Sequence, residues 1–439
     1  MKFFFSRTFY FSFFILFLNS FFSAHAQNKL SLDEAVSRAL KNNLGILIST
    51  NDAQQSKNNV TKGNAGFLPN INLVAGETPN TSYSNQSYST GLKVDKPTFS
   101  NNMNAGVQVS WILYNGKRMN LEYDRLKELQ TLGELGIKSR AEQLIYDVMR
   151  AYFNVVRQQE LYNGLRDQLD LYEERLRIAQ TRLDVGKGNQ LDVLTAQSDL
   201  SVQKTQLLRQ EQLIYTGQLT LNQLMTEPAE NKYIITDTLA VQTGYDVVRL
   251  KNDALNNNVL TDIYKHQTGV SILVAKEIEA LKKPLITFSP AFILGRTDNT
   301  AGQLLFNQNA GLNAGITFSM PIYDGKNIQR QVNNAKIEIE SNKLREQQLV
   351  FDLTTNVNLA YQYYVNAVAV IKAEEENLVI AKQSIAIAME RFRLSRSTIL
   401  ELKQIQQVYE SGVNRVISAR FDAKMAEIDL MRLSGMLKK

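Results

Sequence analysis

The sequence predicts a mainly α-helical protein with a membrane β-barrel portion, organised as two tandem structural repeats. Three observations carry this prediction. The segment GVQVSWILYNGK, from Gly106, recurs in altered form as GITFSMPIYDGK, from Gly315. Each copy alternates apolar and polar residues, which is typical of a strand with one apolar face. No proline occurs between Thr98 and Glu227 or after Pro321, and long proline-free stretches favour long helices.

The duplication extends over most of the chain, because other segments recur at a constant separation. The two copies above start 209 positions apart. The segment RLDVGKGNQLDVLTAQ, from Arg182, is matched 209 positions later by RFRLSRSTILELKQIQ, from Arg391. Upstream of the strands the separation is 215 positions, as between Pro69 and Pro284. The halves are therefore collinear except for one difference in length, which a surface loop tolerates.

These matches define the predicted domain organisation. We expect the first structural repeat over residues 27–244 and the second over residues 245–439. The predicted elements are, in chain order, strands over about 67–114, a long helical hairpin over about 117–227, strands over about 284–323 and a second hairpin over about 326–436.

The predicted long helices carry a narrow apolar stripe. A helix from Lys117 to Val185 would be roughly 100 Å long. Its apolar residues recur every three or four positions, at Leu161, Leu165, Leu169, Tyr172, Leu176, Ala179 and Leu183. So narrow a stripe is typical of a coiled-coil seam rather than of the broad apolar face of a globular helix. Such helices need neighbouring helices to bury enough surface.

The alternating segments predict strands that cross a membrane. In the second copy, Ile316 and Phe318 point one way, and Thr317 and Ser319 point the other. The segments have about the nine to eleven residues that a membrane strand needs. The connections between paired strands are long and rich in Ser, Asn, Thr and Tyr, as in outer loops of membrane barrels. The alternative is a soluble sandwich, for which the chain offers no second sheet.

The four predicted strands are too few to close a barrel. Closure needs about eight strands, and an open sheet edge is not tolerated in lipid. The sequence therefore predicts an oligomer in which each protomer contributes four strands, so that two protomers would supply about eight and three about twelve.

The N-terminal residues 1–26 are predicted to be a signal peptide. Lys2 and Arg7 precede an apolar run over residues 9–18, and the sequence AHA at residues 24–26 fits a cleavage site. A transmembrane anchor is the alternative, but the apolar run is short for one. The chain has no Cys, so neither acylation nor a disulfide framework is expected.

Composition argues against nucleic-acid binding and catalysis. The net charge is +6, from 49 basic and 43 acidic residues, and no basic cluster is interleaved with aromatic residues. After residue 26 the only histidine is His266. No phosphate-binding loop, zinc-binding histidine pair or serine elbow occurs. We therefore expect no enzymatic activity, cofactor or metal site.

Two short motifs connect the strands to the long helices. Asn115-Gly116 and Asp324-Gly325 end the two alternating segments and open the helices. Asn and Asp are favoured as helix N-caps, and Gly permits a sharp change of direction. We interpret both motifs as strand–helix elbows with no chemical role.

Taken together, these features resemble the TolC-like outer-membrane efflux proteins. The resemblance is carried by the two collinear halves, the YNGKR and YDGKN elbows and the turn RLDVGKGNQLDVLTAQ, and it extends from LSLDEAVSRALKNN at Leu30 to the C-terminus. It implies a trimer with a twelve-stranded barrel in the outer membrane of a Gram-negative bacterium and a long periplasmic α-helical tunnel. It further implies a passive exit duct of a tripartite efflux or type I secretion system, opened where a periplasmic adaptor and an inner-membrane transporter dock.

The resemblance also assigns candidate site residues at the helical tips. The implied adaptor-docking residues are Val185, Gly186, Lys187, Leu394 and Ser395. The implied periplasmic gate consists of Asp192 and Glu401, with Glu401 narrowing and charging the entrance and Asp192 in a linking contact. The sequence departs from the family pattern in having Ser395 where a Gly is usual, Gln404 where a second acid is usual and Ser397 where a basic residue is usual.

The rival interpretation is a periplasmic or surface coiled-coil protein, structural or adhesive, without a pore. A periplasmic adaptor would show one helical hairpin within β domains, and an adhesin would have its barrel at one end of the chain. Strand pairs in both halves favour the channel.

Overall fold

The structure is a computed structural model that describes residues 28–437. The predicted signal peptide, residues 1–26, lies outside the described residues.

Between residues 28 and 437 the chain forms long helices and a small set of strands. In chain order the elements are β1 (Asn28–Lys29), α1 (Leu32–Asn42), α2 (Leu44–Asn58), β2 (Asn70–Ser87), β3 (Lys93–Tyr114), α3 (Arg118–Asp184), α4 (Gln190–Met225), β4 (Tyr233–Ile234), α5 (Val247–Asn257), α6 (Val259–Ala280), β5 (Leu285–Asn299), β6 (Phe306–Ser319), α7 (Asn327–Arg393) and α8 (Ile399–Leu433). The predicted mainly helical fold with a small antiparallel sheet is confirmed.

The element order repeats with the spacing seen in the sequence. The helices α3 and α7 have 67 residues each, and their first residues are 209 positions apart. The helices α1 and α5 have 11 residues each and start 215 positions apart. The duplicated sequence thus folds into duplicated elements.

The main sheet has four strands in the order β2–β3–β5–β6. Every neighbouring pair is antiparallel, so β2 and β6 are the two edge strands and run in opposite directions. The short strands β1 and β4 pair separately and in parallel. Within the described residues, no helix combines the length and the apolar character needed to cross a membrane.

All four strands of the main sheet are longer than the nine to eleven residues that the sequence predicts, and even β5 and β6 have 15 and 14 residues. The segment from Gly76, predicted to be a polar connection, continues as strand, with β2 and β3 reaching 18 and 22 residues. The alternation of apolar and polar residues fades there, but backbone pairing continues to Ser87↔Lys93. Pro97 is tolerated within β3 because β5 ends opposite Ser100, and a strand edge without a partner does not need the missing N–H.

The chain forms two compact units, and each draws on both repeats. Among the described residues, one contains 28–47, 140–257 and 353–437. The other contains Ile48–Ser139 and Asn258–Asp352, and therefore holds the four-stranded sheet. In the first unit the buried cores lie between the helices, and one of them surrounds Phe392, which is fully buried.

Candidate functional site

One face of the four-stranded sheet is apolar and exposed. Leu73, Val107, Phe292 and Leu312 form a continuous row, because each is the register partner of the next across β2, β3, β5 and β6. All four side chains are exposed, Leu73 at 81% and Leu312 at 78%. A second row on the same face contains Trp111, Phe288 and Ile316. This face is suited to contact with lipid acyl chains rather than with water.

The opposite face of the sheet is the more polar one, although the row between its two polar rows contains Val74 and Ile293. Asn72, Gln108, Ala291 and Asn313 form one row, and a second contains Gly76, Asn104, Gly295 and Asn309. No charged residue occurs in either row. The two faces of the sheet therefore differ in polarity, as the period-two pattern predicts.

The aromatic residues near the strand ends lie where the sheet meets the helices. Trp111 Nε1 donates a hydrogen bond to the Phe67 carbonyl oxygen at 3.0 Å, so its polar edge is satisfied while the ring stays half exposed. Tyr114 and Tyr323 are also exposed. An apolar ring with a polar edge is suited to a membrane–water interface.

The two elbows have the same backbone geometry. Gly116 and Gly325 adopt φ of +71° and +69°. The following lysines also have positive φ, so each elbow turns through two consecutive left-handed residues. Asn115 Oδ1 accepts a hydrogen bond from the backbone N–H of Met119 at 3.2 Å, and Asp324 Oδ2 accepts one from Ile328 at 2.6 Å. Their side chains therefore satisfy free N–H groups at the helix starts.

The two helical tips end in the same C-capping motif. Gly186 and Ser395 are equivalent residues with φ of +72° and +60°. The Lys187 N–H donates to the Arg182 carbonyl at 2.8 Å, and the equivalent N–H, of Arg396, donates to its counterpart at 2.8 Å. This six-to-one bond with a left-handed residue is the Schellman arrangement. Ser395 therefore occupies a position that favours glycine.

The predicted docking residues lie on the surface of these tips. All five are exposed, with Val185 at 61% and Leu394 at 52%. A Cβ added at Gly186 would have no atom within 4 Å. The tips thus present apolar side chains and open backbone to their surroundings.

The predicted gate residues Asp192 and Glu401 occupy equivalent positions in the first turns of α4 and α8. The Asp192 N–H donates to the Asn189 side chain at 2.8 Å. Glu401 forms a capping box with Thr398, since its carboxylate accepts the Thr398 N–H at 3.3 Å. Within the described residues, no hydrogen bond or ion pair joins Asp192 to Glu401. Both acids are favoured locally by the positive end of a helix dipole.

Sequence reasoning missed a buried polar cluster that joins α3, α4 and α8. Arg175 is fully buried; its Nη2 donates to Asp199 Oδ2 at 2.6 Å and its Nη1 to Gln406 Oε1 at 3.0 Å. Lys403 Nζ contacts the other Asp199 oxygen at 2.8 Å. The only sequence signal was a charged residue beside the seam, which more often marks a solvated helix face.

Burial also changes the acid–base properties of this cluster. It raises the pKa of the Glu410 carboxyl, although hydrogen bonds from Tyr172 and Gln406 partly oppose the effect. Burial likewise raises the pKa of the Tyr172 hydroxyl. Within residues 28–437, no group of three or more His, Asp or Glu side chains is arranged to hold a metal ion.

An exposed sheet with one apolar and one polar face, in a chain dominated by two pairs of coiled-coil helices, defines a channel-type membrane protein. More specifically, the chain belongs to the outer membrane efflux protein family, whose model matches residues 35–227 and 288–436. The resemblance noted from the sequence is thereby confirmed, and with it the outer-membrane location and the efflux function.

Similar proteins span almost the whole chain. The outer membrane efflux protein BepC of Brucella suis is 19% identical over 409 residues, which cover 92% of this chain and 85% of that protein. The outer membrane protein TolC of Vibrio cholerae is 22% identical over 424 residues, 93% of this chain and 91% of that protein. The crystal structure of VceC from Vibrio cholerae has a TM-score of 0.74 at 13% identity and covers 92% of this chain and 96% of that one. At this identity the structural likeness concerns the fold.

Proposed function

We propose that three copies of the chain form a twelve-stranded barrel with a periplasmic helical tunnel, the passive exit duct of a tripartite efflux or type I secretion system. The observation that carries the proposal is the four-stranded sheet with an exposed apolar face and two open edges, β2 and β6. Lipid does not tolerate such edges.

The strand directions support cyclic closure by identical copies. Because β2 and β6 run in opposite directions, β6 of one copy pairs with β2 of the next in the same antiparallel sense as the existing pairs. Two copies would give eight strands, but the interior of a barrel of about eight strands is filled by side chains. Three copies give twelve strands and leave space for a conduit lined by the polar face.

Exposed apolar stripes on α7 support the same assembly. In one compact unit Ile337, Leu344 and Phe351 are exposed at seven-residue spacing, and in the other Ile380 and Ile387 are exposed seven residues apart. Heptad-spaced apolar residues seek a partner helix. A neighbouring copy of the chain supplies one.

We further propose that a periplasmic adaptor protein, acting with an inner-membrane transporter, docks on the exposed tip residues Val185, Gly186, Lys187, Leu394 and Ser395. Their exposure at the ends of both hairpins supports this role. Glu401, repeated around the three-fold axis, would charge and narrow the entrance, because like carboxylates brought close together attract cations. Asp192 would make a linking contact.

Conductance in planar lipid bilayers tests the channel proposal. We expect purified protein, extracted from outer membranes with detergent, to migrate differently before and after heating and to form discrete conducting pores. A water-soluble monomer that conducts nothing would instead support the rival, a coiled-coil structural or adhesive protein.

A separate recording tests the gate. Glu401→Gln retains an acceptor for the Thr398 N–H but removes the charge, so it should reduce cation preference without disturbing the helix start. Unchanged conductance and ion preference in Glu401→Gln would exclude a gating role for this carboxylate.

A further inference from the structure

The two helical tips have different charges although their backbones match. The tips lie in two equivalent eleven-residue windows, Arg182–Asp192 at the first tip and Arg391–Glu401 at the second. The first window contains two basic and two acidic residues and is neutral, whereas the second contains three basic residues and one acidic residue and carries +2. The difference arises where Arg393 replaces an acid in the duplicated sequence.

The positive charge of the second tip is only partly neutralised within the protomer. Arg393 forms an ion pair with Glu390 at 2.9 Å. The Arg391 Nη2 donates to a backbone carbonyl, that of Arg396, at 3.4 Å. Within residues 28–437, the Arg396 guanidinium has no hydrogen-bond or ion-pair partner. The one acid in this window, Glu401, accepts the N–H of its own helix cap.

A fourth guanidinium lies beside the second tip. Arg182, from the first hairpin, stacks on the Phe392 ring with its Cζ 4.5 Å from the ring centroid. Its Nε and Nη1 are buried and have no acceptor within the described residues, and the Ser397 hydroxyl is likewise buried without a partner. Buried donors without acceptors are costly. The second tip therefore has three guanidinium groups of its own against one carboxylate, and the Arg182 guanidinium of the first window lies beside it.

The first tip has the opposite character. Gly186 leaves its backbone open, with nothing within 4 Å of an added Cβ. At the equivalent position the second tip has Ser395, whose side chain prevents an equally close approach to the backbone. A partner residue can therefore reach the main chain at the first tip and must contact side chains at the second.

We propose that the second tip recognises a carboxylate-bearing turn of the adaptor, through Arg391, Arg393 and Arg396, whereas the first tip receives an uncharged residue against Gly186. This inference rests on the proposed function, because it requires that an adaptor dock at the tips. It makes the two docking sites of each protomer chemically distinct and assigns the choice of partner to the second tip. Charge complementarity of this kind controls association rate and specificity more than contact area does.

The first experiment identifies the partner turn. A photo-crosslinking amino acid replaces Leu394 in the full-length protein expressed in its own cells, and the crosslinked peptide is sequenced. The proposal expects an adaptor hairpin with Asp or Glu within a few residues of the crosslink. An adaptor turn without an acid, or no crosslinked adaptor, overturns it.

The second experiment measures binding of that purified adaptor to the full-length protein in detergent. The triple variant Arg391→Gln, Arg393→Gln, Arg396→Gln should bind at least about tenfold more weakly and lose most of its salt dependence, because exposed charges are screened by salt. The matched control is Arg249→Gln in α5, outside both tips, where the side chain is 83% exposed; it should change affinity by less than about twofold. An equal loss of affinity in the triple variant and in the control would overturn the proposal.

Charge reversal gives the sharpest test and separates this proposal from the proposed function. Arg396→Glu should abolish binding, and an adaptor with Lys in place of its acid should restore it. Failure of this exchange, while the wild-type protein still conducts in bilayers, would refute the docking chemistry and leave the channel intact. Absence of conductance in the wild-type protein would refute the channel itself.

Discussion

Removal of the Asp199 carboxylate should release the helices near the tips. Arg175 is fully buried, and its only acidic partner in the described part of the chain is Asp199, at 2.6 Å. Asp199→Ala removes the one carboxylate in direct contact with this guanidinium, and losing the partner of a buried charge costs about 3–5 kcal/mol. Glu410, which also interacts electrostatically with Arg175, keeps the cost towards the lower end of that range. Because about 1.4 kcal/mol corresponds to a factor of ten, local opening should become at least about 100-fold more frequent.

Hydrogen–deuterium exchange of the backbone amides over residues 170–205 measures this opening directly. Lys403→Gln is the matched control, since Lys403 contacts the same carboxylate at 2.8 Å but its side chain is 36% exposed. An exposed ion pair contributes at most about 1 kcal/mol, so the control should accelerate exchange by no more than about fivefold. The double variant Arg175→Met, Asp199→Leu should recover part of the protection.

Equal exchange in Asp199→Ala and Lys403→Gln would refute this reasoning. It would mean that water or a rearranged side chain compensates the guanidinium, and that the cluster does not hold the three helices together.

Three further substitutions test the tips, the sheet and the buried cluster. Ser395→Gly should stabilise the second tip by about 0.5–1 kcal/mol, because a left-handed conformation is strained for serine. Gly186→Ser should destabilise the first tip by a similar amount. Local hydrogen exchange checks both, and exchange that matches the wild-type protein at both tips would contradict the argument. Gly106→Val should prevent barrel assembly, since an added Cβ would clash with the Phe292 carbonyl oxygen of β5. Gly311→Val, in the same row but with open space around it, should assemble normally; heat-modifiable migration distinguishes the two variants. Glu410→Gln should raise the Tm at pH 7 and leave it unchanged at pH 4. Burial raises the pKa of this carboxyl, so the folded state binds its proton more tightly than the unfolded state, and the stability of the wild-type protein falls as pH rises through that raised pKa. A Tm difference of the same size at both pH values would show that ionisation is not the cause.

The features that repeat in the sequence were the predictable part of the fold. The constant offsets predicted two copies of the same element order, and α3 and α7 indeed have equal lengths of 67 residues. The alternation around Ile316 predicted one apolar sheet face, since neighbouring strand residues point to opposite sides. Periodicity and chain breakers encode such local features directly.

Features that depend on tertiary pairing were not predictable in the same way. The sequence predicts a loop for the polar half of the β2–β3 hairpin, because backbone pairing leaves no trace in residues such as Ser84 and Asn85. The cluster around Arg175 was missed because its partners, Asp199 and Gln406, come from two other helices. The roles of Asp192 and Glu401 at a gate stay predictions, because they concern contacts between copies of the chain.

Covalent capture of the closing strand pair tests the central claim most directly. The chain has no native cysteine, so Cys at Asn72 in β2 can be combined with single Cys substitutions scanned along residues 307–319 of β6. Within one protomer β2 and β6 are separated by β3 and β5, a distance of roughly 14 Å at about 4.8 Å per strand spacing, which a disulfide cannot bridge. We predict that oxidation in the outer membrane yields dimers and trimers and nothing larger. Exclusively monomeric protein at every position, or a ladder that stops at the dimer, would contradict the twelve-stranded assembly.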